Sequence, residues 1–72
     1  MFAKELVHGE HVRRFSVNYA GTEGWEVTVE EDCAVLSRLQ YTDWHRVERA
    51  LDSMRRETDR LRARGWRERP AH

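Results

Sequence analysis

The chain has little of what usually announces a function. Its 72 residues include one cysteine, Cys33, one proline, Pro70, and one lysine, Lys4. A lone cysteine closes no internal disulfide, which excludes a stapled secreted scaffold and leads us to expect a reducing, cytoplasmic setting. With proline confined to the end, no proline-rich linker divides the chain. No apolar run approaches the roughly 20 residues of a membrane-crossing helix, and no signal-peptide pattern is present, so no membrane partner is expected. The formal net charge is zero, which argues against a strongly electrostatic nucleic-acid binder. There is no glycine-rich phosphate loop and no nucleophile elbow.

What is there is a small, highly charged domain, 39% hydrophobic and 36% charged. A chain this short supports a thin core, and self-association is a natural way to bury more apolar surface. One domain is expected over residues 1–66, with 67–72 as a flexible tail. The charge is unevenly placed. Glu23 to Asp32 carries five acids and no base, whereas Arg55 to Arg69 carries seven arginines against Glu57, Asp59 and Glu68. The arginine bias fits a GC-rich genome and a bacterial or phage-like protein.

Period-two alternation marks three strands. Phe15, Val17 and Tyr19 alternate with polar residues over 13–19, as do Trp25, Val27 and Val29 over 25–30. Over 34–41, Val35, Leu39 and Tyr41 share one face and Leu36, Arg38 and Gln40 the other. Thr22-Glu23-Gly24 and Glu31-Asp32-Cys33 suit three-residue hairpin loops, with Cys33 at a left-handed position that glycine prefers. These loops set Val17 against Val29, Val29 against Val35, and Glu26 against Arg38 on the outer face. A two-residue second loop would turn Arg38 inward. Phe2, Leu6 and Val7 suit a fourth strand, an extension of the first, or a helical turn, with Gly9 as a break.

From residue 42 the period changes. Trp44, Val47, Leu51, Met54, Thr58 and Leu61 recur at steps of three and four, a narrow helical seam. Thr42 and Asp43 supply the N-cap, and Gly65 the left-handed residue past the end, with Trp66 and Leu61 in the positions that pack together in a Schellman motif. The expected fold is therefore α+β: a three- or four-stranded antiparallel β-meander followed by one long C-terminal helix on one face of the sheet (βββα). The seam serves either this sheet or, in its distal part, a second copy. About 22 helical residues reach roughly 33 Å, past an eight-residue strand of about 27 Å, so the last turns are expected to overhang.

Candidate chemistry is sparse. His8 and His11 are three apart but have no second pair of ligands, so no metal and no cofactor is expected. Asp43, His45, Glu48 and Asp52 offer carboxylates beside an imidazole, the raw material of acid–base work. Such a cluster is much more often a solvated helix turn than a catalytic pair, and no enzyme is expected. Arg46, Arg49, Arg56, Arg60 and Arg64 fall on one helix flank that can follow a phosphate backbone. Pairing with neighbouring acids, such as Asp52 with Arg56, is the competing account.

Over residues 12–64 the strand–strand–strand–helix order resembles small homodimeric single-strand-binding proteins of the Whirly type. It also resembles the C-terminal portion of a double-stranded-RNA-binding domain. That resemblance implies nucleic-acid binding. The residues depart from it: the helix opens Asp43-Trp44-His45-Arg46 instead of with a lysine-rich motif, and the outer sheet face carries Glu26 and Glu30. The reading that results is a small non-enzymatic, self-associating protein-interaction module. It would dimerise through Met54, Thr58 and Leu61 or through the Leu36 side of the sheet, with an unidentified protein partner. The alternative is a modest nucleic-acid binder using Arg46, Arg49, Arg56, Arg60 and Arg64.

Overall fold

The computed structural model describes residues 2–70. The element order is β1 (Phe2–His8), β2 (His11–Tyr19), a 3-10 turn (Gly21–Glu23), β3 (Trp25–Glu31), β4 (Ala34–Tyr41), α1 (Trp44–Ala63) and β5 (Arg67–Arg69). The α+β class and the antiparallel sheet match the sequence, but the strict βββα order does not. The sheet has five strands in the order β4-β3-β2-β1-β5. One strand had been left open and one was missed. The ambiguous first residues form β1, paired with β2 along its whole length, with Gly9 at φ 61 in the two-residue turn between them. Residues assigned to the tail form β5, antiparallel to β1, while Ala71 and His72 lie outside the described residues.

Successive antiparallel pairings make β4 and β5 run in the same direction at opposite edges. A parallel connection needs a crossover, and α1 supplies it. Its 20 residues extend about 30 Å, whereas the four strand spacings add to about 19 Å. The helix therefore crosses the sheet diagonally. Trp44 at its start meets Trp25 of β3, with ring centroids 5.1 Å apart, and Trp66 just past its end stacks on His8 of β1 at 5.4 Å. The overhang expected from strand length does not arise, because the last turn lies over the β1 and β5 side.

The core is Leu6, Phe15, Val17 and Val27 from the sheet with Val47, Met54 and Leu61 from the helix. Thr58, the polar member of the seam, is also buried. No buried side-chain polar atom lacks a partner among the described residues. Both helix ends follow the sequence signals. Asp43 accepts a hydrogen bond from the His45 backbone N–H at 2.9 Å. Gly65 takes φ 99, and the N–H groups of Gly65 and Trp66 donate to the carbonyls of Arg62 and Leu61 at 3.0 Å each. That pair of bonds is the Schellman closure.

The hairpin details differ from expectation. The first connection is longer, a 3-10 turn followed by Gly24, and it sets Val17 opposite Val27 and Phe15 opposite Val29. The second is a two-residue turn: Glu31 pairs with Ala34, and Asp32 and Cys33 take φ 52 and φ 69. That is the I′ pattern, whose twist matches the strands. Taken alone it would bury Arg38. A β-bulge prevents this, because Glu30 pairs with Val35 and Val29 with Ser37, leaving Leu36 as the extra residue. Val29 thus faces Ser37 instead of Val35. Arg38 stays on the outer face opposite Thr28 and reaches Glu26 diagonally at 3.7 Å.

Candidate functional site

The two edges of the sheet are built differently. β5 is three residues long, Arg-Glu-Arg, and all three are exposed. A short charged strand is a protected edge. β4 is eight residues long with a single charge, Arg38, and no residue of it is buried. Val35, Leu36 and Leu39 are 48%, 57% and 50% exposed. Among the described residues no strand pairs with its far side, so a row of backbone N–H and C=O groups is presented beside apolar side chains.

The diagonal crossing explains this exposure. A helix about 10 Å wide covers two or three strands, and α1 leaves β4 as it runs toward β1. Between them opens a groove of about 490 Å³. Val27, Val29 and Met54 form its floor, Leu39 and Tyr41 line the strand side, and Arg46 and Arg49 rim the helix side. At the end where the helix starts, Tyr19, Trp25 and Trp44 form an aromatic cluster in which Tyr19 is 59% and Trp44 45% exposed.

At 100° per residue, Arg46, Arg49, Arg56, Arg60 and Arg64 fall on one flank of α1, next to Ala50 and the groove. Glu48, Asp52 and Asp59 fall on the other flank. The expected Asp52–Arg56 pair is absent: Asp52 bonds to Arg55 at 3.1 Å. Only Arg60 of the five has an acidic partner among the described residues, Glu57 at 2.6 Å. Glu57 also meets Arg13 at 3.4 Å, and Arg13 bonds to Glu31 at 2.6 Å while lying over the Trp66 ring. That network ties β2, β3 and the distal helix together.

The residues singled out for self-association separate. Met54, Thr58 and Leu61 are buried against the chain's own sheet, so the seam serves the internal core, and Leu36 alone stays exposed. The heptad-like steps could not tell these apart, because a sheet and a second helix demand the same stripe. Val35 and Leu39 are exposed as well and were not assigned to a site; the bulge puts Val35 opposite Glu30 on the outer face, not beside Leu39 and Tyr41 on the helix side as expected. The signal for them was the number of strands, since one helix cannot cover five.

The remaining polar groups form local structure. The Asp43 carboxylate caps the helix through the His45 backbone, not through its ring. His8 stacks on Trp66, whereas the His11 Nδ1 lies 2.8 Å from Asp32 Oδ2. Asp32 also accepts from the Val12 N–H at 2.9 Å. The hydrogen bond and charge of Asp32 raise the His11 pKa above 6.5, and the bonds from His11 and Val12 lower that of Asp32 below 3.8. No group of three or more His, Cys, Asp or Glu side chains able to hold a metal ion occurs among the described residues. No described helix is long and apolar enough to cross a membrane.

No family model, curated protein or solved structure matches the chain.

Proposed function

We propose that the protein is a small non-enzymatic interaction module that self-associates through the free edge of β4. The observation that carries this reading is the contrast between the edges, one short and charged, the other long, nearly uncharged and flanked by exposed Val35, Leu36 and Leu39. Strand addition at such an edge supplies main-chain hydrogen bonds and covers apolar side chains such as Leu39 on the helix side. In a chain this small the extra burial stabilises the folded state by mass action. The cytoplasm is the compartment this reading expects, in keeping with an exposed, unpaired Cys33. Thermal melting at protein concentrations spanning about a hundredfold tests it. The midpoint should fall on dilution, and a midpoint that stays fixed would remove the obligate dimer.

A second reading has its own support. Arg46, Arg49, Arg56 and Arg64 have no acidic partner among the described residues and share one flank, on which Glu57, paired with Arg60, is the one helix acid, while Glu48, Asp52 and Asp59 lie on the other flank. This surface suits a nucleic-acid backbone of modest affinity. Replacing Arg49 and Arg56 together by alanine should then weaken binding and flatten its salt dependence. Affinity for short DNA or RNA that is absent at low salt, or unchanged by salt, would reject it.

A further inference from the structure

Resting on the self-association reading, the geometry points to one partner and one register: we propose that β4 pairs antiparallel with β4 of a second copy about a two-fold axis through Leu39. The bulge at Leu36 interrupts the ladder, and the strand ends at Tyr41, so the regular segment free to pair is Ser37–Tyr41. Leu39 is its centre.

An axis perpendicular to the sheet keeps both helices on one side. Side chains opposite each other across an antiparallel pair share a face. Ser37, Leu39 and Tyr41 point to the helix side, since they pair with Val29, Val27 and Trp25, while Arg38 and Gln40 point outward. With Leu39 on the axis, Leu39 meets Leu39, each Ser37 meets the other copy's Tyr41, and each Arg38 meets a Gln40. Moving the axis to Arg38 places two like charges directly opposite. Moving it to Gln40 shortens the paired segment and leaves Ser37 outside it.

Shape favours the same arrangement. In each copy the helix starts beside the Tyr41 end of β4 and departs from it, so the groove is open toward Ser37. Antiparallel pairing sets the open end of one copy beside the covered end of the other. The result is a continuous ten-stranded sheet that closes as a dimer.

The test uses the full chain, mixing isotope-labelled and unlabelled protein for isotope-filtered NOE spectra. Contacts between Leu39 methyls of the two copies, and between the Tyr41 ring and Ser37, are expected. Leu39→Lys, at a half-exposed position, should weaken dimerisation at least tenfold in sedimentation equilibrium while leaving the circular dichroism spectrum unchanged. A β4–β4 dimer whose contacts fit another register would overturn the axis at Leu39 and leave the edge reading standing, whereas contacts on the helix flank or the outer sheet face would overturn both. A monomer at the concentration of the NMR sample would overturn both.

Discussion

Asp32 and Cys33 sit side by side at φ 52 and φ 69, a conformation that costs a non-glycine residue roughly 1–2 kcal/mol. Asp32 offsets its share, because its carboxylate joins this turn to the start of β2 through Val12 and His11. Cys33 has no such bond. Cys33→Gly should therefore raise stability by about 1 kcal/mol in urea denaturation, giving the Asp-Gly pair that a type I′ turn favours. At Gly24 the opposite holds. It has φ 85, and an added Cβ would stand 2.1 Å from the Tyr41 carbonyl oxygen. Gly24→Ala should cost roughly 2–4 kcal/mol, and a neutral effect in the same assay would contradict that close approach. The His11–Asp32 pair gives a pH signature. The raised His11 pKa contributes stability that is complete below 6.5 and lost as pH rises through the folded value. The lowered Asp32 pKa contributes stability present above 3.8 and lost as pH falls through its folded value. The pair is thus strongest between these limits. In an NMR titration Asp32→Asn should bring the His11 midpoint down toward 6.5; a midpoint that does not move would show that Asp32 is not its cause.

The elements whose signals are local were legible in the sequence. Asp43 and Gly65 mark the two ends of α1 through short-range hydrogen bonds that depend on a few adjacent residues. Asp43→Ala should accordingly lower stability by about 1 kcal/mol, read from the shift in urea midpoint. The alternation of β2 and β3 was equally clear, because each keeps its apolar side chains on one face, although Ser16 and Thr28 on the other are buried as well. The features that were missed depend on distant partners. β5 is three charged residues with no apolar pattern, and only its pairing with Glu5, Leu6 and Val7 makes it a strand. Glu68 shows how: it lies 3.8 Å from Lys4 of β1 and also pairs with Arg62 of the helix. The β4 bulge was invisible for a related reason. Leu36 alternates correctly if the turn has three residues, and nothing in the sequence separates that from a two-residue turn with an extra residue later. The candidate site inherits this blindness: the arginine flank was readable from helical periodicity, but the open edge was not, since it exists only because the sheet is wider than its one helix.

At the scale of the whole molecule, the proposed edge pairing makes the two edges set how many copies join. A sheet with two open edges extends without limit, whereas a sheet with one open and one blocked edge stops at a pair. β5 blocks the β1 edge with Arg67, Glu68 and Arg69, and its Arg69 reaches Glu5 at 3.4 Å. Ending the chain after Trp66 would keep the Schellman closure and the Trp66–His8 stack while removing β5 and exposing β1. Light scattering after gel filtration should then show species larger than a dimer, growing with concentration. Adding Leu39→Lys to the truncated chain should cap them, because β4 would no longer offer a second edge. If the truncated chain keeps the stoichiometry of the full one, β5 is a structural strand and the edges do not govern assembly.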